Sequence, residues 1–185
     1  MECKEHGIEH EIIDTQIFDL AGEKIRKNSS FCSFFSRMRR GYLYTTALEQ
    51  GYNKVALGHH LDDAMESYFM NLFYNGTMRT MPPIYKASNG LEVIRPLIFC
   101  RERQLRAFAD SNEIRVIGDE ACPGLRFDVK MPHARATTKE LLAKLEEQNP
   151  KIFVSMKAAF SNIQLPTFFY KDLKDIKLNI EDETI

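Results

Sequence analysis

Between residues 58 and 63 the chain reads Gly-His-His-Leu-Asp-Asp, which puts His59, His60, Asp62 and Asp63 within a few positions of one another. Carboxylates are hard oxygen donors suited to Mg²⁺ carried with a substrate's phosphates, and imidazoles donate or accept at nearby polar groups. These four residues could bind a divalent metal or hold a nucleotide with its magnesium. The competing reading is that Asp62 and Asp63 merely complement the dipole and cap of a helix that begins there. Zinc is not expected, because no third and fourth ligand follows at a familiar spacing.

A second candidate is the segment KIRKNSSFCSFFSRMRR, residues 24–40, where Lys24, Arg26, Lys27, Arg37, Arg39 and Arg40 stand among Phe31, Phe34 and Phe35 with no acid. Such a patch tracks phosphates while an aromatic ring stacks on a base. Its alternative is a solvated helix face over a buried aromatic stripe. The cysteines, Cys3, Cys32, Cys100 and Cys122, have no disulfide spacing and form no C-x-x-C pair. Cys32 and Cys122 are candidates for iron–sulfur ligation or sulfur transport, against the default of a plain buried thiol. Cys100, at the end of an apolar strand, reads as core, and His133 as a surface or cap residue.

The elements that must position these groups alternate in type. HEIID (10–14) reads as a short strand, 16–28 as a helix, and 33–50 as a longer helix with Phe35, Met38 and Tyr42 on one face. VALG (55–58) has the pattern of a buried parallel strand. Asp63 and Glu66 then form a D-x-x-E capping box, and Met65, Tyr68, Phe69, Leu72 and Phe73 repeat with helical period as far as Asn75-Gly76. An irregular or hairpin segment lies between Pro82-Pro83 and the Asn89-Gly90 turn, followed by a strand in LEVIRPLIF. A helix at 101–111, a strand at 113–117 and helices at 133–148 and 150–163 complete the order. This alternation predicts an α/β fold with a mainly parallel sheet and C-terminal helices, in which ligands sit beyond the carboxyl ends of the strands. His59 to Asp63 stand at such an end.

The 185 residues suit one domain, predicted over 1–165 with a tail at 166–185. A formal net charge of -1 excludes overall basicity, so any nucleic-acid surface must be local. No apolar run reaches the roughly 18 residues that span a bilayer, and the start has no signal pattern. A cytoplasmic protein with no membrane partner is expected.

Taken together, R-x-R-R-G-x-L-Y (37–44), A-L-G-H-H-x-D-D (56–63), N-x-F-Y-x-G (71–76), M-P-P (81–83) and I-R-P-L (94–97) resemble the PP-loop ATPases of the tRNA 2-thiocytidine synthetase group. The resemblance runs from about residue 9 to 163. It implies an adenine-nucleotide alpha-hydrolase-like (Rossmann-like) sheet that uses ATP and Mg²⁺ to adenylate a tRNA base carbonyl, after which sulfur displaces AMP. By the same resemblance Gly58, His59 and His60 line the nucleotide, and Arg37, Arg39 and Arg40 face phosphate or tRNA. Asp62, Asp63, Cys32 and Cys122 carry the chemistry.

Cluster-binding members of the group use a C-S-x-C pair and a later cysteine; here Phe35 stands at the second position of the pair, and a phenyl ring cannot ligate iron. Cys32 and Cys122 remain as at most two ligands, so a stable four-iron cluster is not expected. The group's phosphate loop, SGGxDS, is absent from these residues, which contain no Gly-Gly. HEIID resembles the group's third strand, so an incomplete sheet is expected, completed by a separate N-terminal segment or a second copy. A sulfur donor protein is a further implied partner. The reading from another class is a non-catalytic protein that retains tRNA or partner binding through the basic patch.

Overall fold

The computed structural model describes residues 2–17, 20, 31–116, 133–164 and 167. In chain order the elements are α1 (Glu2–Glu5), α2 (Phe31–Glu49), β1 (Lys54–Ala56), α3 (Leu61–Tyr74), β2 (Ile84–Lys86), β3 (Glu92–Ile94), α4 (Glu102–Ser111), α5 (His133–Gln148) and α6 (Ile152–Ala159). They divide into two compact units, residues 1–52 with 100–133 and residues 53–99 with 134–185. The second holds the sheet.

That sheet has the order β1-β3-β2. β1 runs parallel to β3, with Val55 opposite Val93 and Ala56 opposite Ile94, while β2 runs antiparallel to β3, with Tyr85 opposite Val93. The hairpin forms because Gly90 adopts φ +89, a left-handed conformation that costs glycine little. Ala87 N–H donates to the Leu91 carbonyl at 2.8 Å, and Leu91 N–H to Asn89 Oδ1 at 3.2 Å, closing the turn. Leu91 and Val93 are fully buried, and a Lys54–Glu92 ion pair ties β1 to β3.

In the same unit, α3, α5 and α6 build a core from Leu61, Met65, Leu142 and Phe153, with Phe69, Ile152, Met156 and Phe160 packed against it. The α3 stripe explains this. Residues 61, 65 and 69 recur every four positions, and the helical pitch stacks them on one face. Phe73, one turn further, is 53% exposed, so the apolar repeat outlasts the surface it covers.

In the first unit, α2 carries the buried Phe34 and Tyr44, whereas the expected stripe of Phe35, Met38 and Tyr42 is half-buried. The helix ends where Gly51 turns left-handed at φ +80, with Tyr52 N–H returning to the Ala47 carbonyl at 2.8 Å. Ile17 is buried here as well.

Three expected features differ. HEIID (10–14) is not a strand: a strand needs a neighbour for its backbone groups, none pairs with it among the described residues, and Ile12 is 81% exposed. Residues 114–116 are likewise outside any sheet, and residue 117 lies beyond the described set. β1 is parallel as expected but not buried, with Lys54 and Ala56 exposed and Val55 half-buried. The C-terminal helices and α4 form where their periodicity placed them. Among the described residues no helix is long and apolar enough to cross a membrane.

Candidate functional site at the carboxyl edge of the sheet

Leu57, Gly58, His59 and His60 carry the chain from the carboxyl end of β1 into α3. Leu57 N–H donates to the Ile94 carbonyl at 2.9 Å, which extends the parallel pairing one step and fixes where this turn leaves the sheet. Leu61 is drawn into the core at 5% exposure, so the helix starts there and His60 becomes its N-cap.

The capping box lies three residues before the expected one. Asp63 N–H donates to His60 Nδ1 at 3.4 Å, and His60 N–H donates to Asp63 Oδ2 at 3.0 Å. His60 Nε2 stands 3.4 Å from Asp63 Oδ2. Asp62 Oδ2 is 3.8 Å from His60 Nδ1. The structure thus brings His60, Asp62 and Asp63 into one partly shielded cluster on the first turn of α3.

Glu66, expected to complete the box, instead points inward at 4% exposure. Arg135 of α5 meets it: Nε donates to Glu66 Oε2 at 2.7 Å, and Nη2 donates to Asp63 Oδ1 at 2.5 Å. Burial by itself would lower the guanidinium's pKa. The hydrogen bond and charge of Glu66, joined by those of Asp63, outweigh it and raise the pKa above its ordinary value. Both Asp63 oxygens are therefore engaged, one by His60 and one by Arg135. Sequence reading missed Arg135. Its one signal was an acid, Glu66, beside Met65 in an apolar stripe, since a buried acid calls for a cation somewhere.

Gly58 bears on whether a nucleotide fits. It has no left-handed φ, and a Cβ built there meets nothing within 4 Å, so neither backbone strain nor the protein's own packing requires glycine. A glycine there leaves the backbone uncovered by any side chain of its own. Among the described residues no group of three or more His, Cys, Asp or Glu could hold a metal ion. Mg²⁺ does not need such a cage, being commonly held by one or two carboxylates and substrate phosphates, so the donor set suits Mg²⁺ that arrives with a nucleotide.

The other expected site residues that the structure describes lie in the first unit. On α2, Arg37 and Arg39 are exposed and Arg40 half-buried; residues 24–30 of the basic segment fall outside the described residues. Position 32 is on α2, three residues before the half-buried Phe35, and Cys122 lies outside the described residues. Cys3 and Cys100 are half-buried free thiols.

A parallel strand pair that leads a glycine, two histidines and two aspartates into a helix start defines an α/β protein with these polar groups at the carboxyl edge of its sheet. Residues 3–130 match the family described as the PP-loop domain, and the chain belongs to that family. The tRNA-cytidine(32) 2-sulfurtransferase of Geobacter metallireducens is 42% identical over 163 residues, covering 87% of this chain and 62% of that protein. Its namesake in Pseudomonas syringae pv. syringae is 37% identical over 182 residues, covering 98% of this chain and 65% of the relative. The chain thus spans less than two thirds of the length of the curated relatives it matches.

Among solved structures, the U34-tRNA thiolase NcsA from Methanococcus maripaludis, with its [4Fe-4S] cluster, superposes with a TM-score of 0.65 at 22% identity, over 86% of this chain and 52% of the other. That likeness is one of fold. The family read from the five motifs is the one found.

Proposed function

We propose that this chain takes part in ATP-dependent 2-thiolation of cytidine in tRNA. The observation that carries the reading is the placement of Gly58 to Asp63 at the carboxyl end of β1, inside the matched span of a PP-loop domain. Relatives named as tRNA-cytidine(32) 2-sulfurtransferases support the substrate and the position.

In this reaction the O2 oxygen of the cytosine attacks the α-phosphorus of ATP, and pyrophosphate leaves. A sulfur nucleophile then attacks C2, the C2–O bond breaks, and AMP departs with that oxygen. Gly58 lets the nucleotide approach the backbone, and His59 and His60 line it. Mg²⁺, when bound, would neutralise phosphate charge, and Asp62 would be the carboxylate that holds it. Asp63, fixed by His60 and Arg135, keeps the turn in register. Arg37, Arg39 and Arg40 contact tRNA phosphates, and Cys32 and Cys122 handle the sulfur delivered by a donor protein. Holding the reacting atoms in line is worth more here than acid–base chemistry, because both steps are displacements of phosphorylated leaving groups.

The test is expression in a bacterium that lacks its own cytidine-32 thiolase, with the chain supplied alone and joined behind an SGGxDS phosphate-loop segment. Nucleoside mass spectrometry should show 2-thiocytidine in the joined arm, and its loss in the Asp62→Asn form. No 2-thiocytidine in either arm, from folded and expressed protein, would refute the proposal.

A further inference from the structure

Two motifs of the sequence, Met81-Pro82-Pro83 and Ile94-Arg95-Pro96-Leu97, have no role in the site described above, yet in the second unit they meet at one side chain. Arg95 is the residue after β3. The register that pairs Ile94 with both Ala56 and Ile84 sets Arg95 level with Leu57 on one side and Pro83 on the other. It therefore stands at the same carboxyl edge from which Gly58 and His59 depart.

Its contacts are unusual for a buried cation. Arg95 is 8% exposed. Its backbone N–H donates to the Pro83 carbonyl at 2.8 Å, its Nη1 donates to the Pro82 carbonyl at 2.6 Å, and the guanidinium carbon lies 5.2 Å from the centre of the Tyr85 ring. Its Nε is buried and makes no hydrogen bond. No carboxylate is among its contacts in the described residues. Prolines suit this role because they have no N–H, so Pro82-Pro83 offers only acceptors.

A guanidinium keeps its charge in proteins, and burying it without an anion is costly; a carbonyl and an aromatic face offset only part of that. Tying β2 to β3 would explain Nη1 and the ring. It does not explain why a full charge stands there with Nε idle, on the side of the guanidinium that grips oxyanions through parallel N–H groups. We propose that Arg95 is an oxyanion-binding residue, taking a phosphate group of a small ligand, a nucleotide phosphate or free pyrophosphate, at the carboxyl edge of the β1–β3 pair. This deepens the reading of that edge as the nucleotide side and rests on it for the identity of the ligand.

Calorimetric titration of inorganic pyrophosphate into the 185-residue chain, at constant ionic strength, tests the inference without any thiolation. A charge-assisted pair of hydrogen bonds predicts about a tenfold or greater loss of affinity in Arg95→Met. Arg95→Lys keeps the charge and loses the fork, so it should bind several-fold more weakly than the wild type; it also serves if the methionine variant fails to fold, which a melt in chloride reveals. AMP should show the same dependence.

Wild-type protein that does not bind pyrophosphate, a folded Arg95→Met that binds it as tightly as wild type, or an Arg95-dependent loss seen only with a short single-stranded RNA would each overturn the proposal. Arg95-dependent pyrophosphate binding without 2-thiocytidine formation would sink the thiolation reading alone.

Discussion

Replacing Arg135 with glutamine tests how the α3 turn is held. The guanidinium serves two acids of unequal burial: the Glu66 side chain is 5% exposed, Asp63 17%, and Arg135 itself 52%. Breaking a fully buried pair costs about 3–5 kcal/mol, while an exposed pair is worth about 1 kcal/mol or less. Glu66 belongs to the first class and the half-exposed guanidinium to the second, so the expected cost is about 2–3 kcal/mol, most of it the stranded charge of Glu66.

Urea denaturation followed by circular dichroism measures it, with the slope of the transition checked for constancy. The decisive arm is the double variant Glu66→Gln with Arg135→Gln. Two neutral amides no longer leave a buried charge unpaired, so the double variant should recover most of the loss. A single variant within about 0.5 kcal/mol of wild type would show that Glu66 is not held by Arg135, and so would a double variant no more stable than the single one.

Three further outcomes are expected. Gly58→Ala should leave stability within about 0.5 kcal/mol, since φ is ordinary and the space is open, yet weaken nucleotide binding, whereas Gly90→Ala should cost about 1 kcal/mol for its φ of +89; equal melts for the two would refute the contrast. Arg39→Ala with Arg40→Ala should weaken tRNA binding and flatten its salt dependence by about 0.7–0.9 in log–log slope for each phosphate no longer neutralised; an unchanged slope removes α2 from the tRNA surface. Anaerobic reconstitution should yield no stable four-iron cluster while Phe35 stands three residues after Cys32 on α2, and Phe35→Cys should raise bound iron; a full cluster spectrum from the unaltered chain would end that reasoning.

What the sequence made legible was local. The α3 stripe, the Asn89-Gly90 turn and the breaks at Gly51 and Gly76 all follow from interactions a few residues long, and there the chain's chemistry and its structure agree. The capping box shows the limit of even local reasoning. Asp63-x-x-Glu66 and His60-x-x-Asp63 both have the necessary spacing, and the choice was made by Leu61, whose burial starts the helix one turn earlier. HEIID failed for the complementary reason: a short apolar pair between polar residues suits a strand, but only a partner's backbone makes it one.

The residues that hold the site together were illegible because each acts across the chain. Arg135 lies 69 positions from Glu66 and 72 from Asp63, and nothing in HARATTKELL distinguishes its arginine from a solvated one. Arg95 was visible as part of a motif, but its burial, its Pro82 bond and its idle Nε exist only once β2 and β3 pair. The two arginines then differ in a way no pattern could show. Arg135 has its charge matched by two carboxylates, and its loss should be felt first as instability. Arg95 meets a carbonyl and a ring, so its loss should be felt first in what the edge binds. Measuring unfolding and pyrophosphate binding for both variants separates these roles, and equal effects on both quantities would show that the distinction drawn from their partners is wrong.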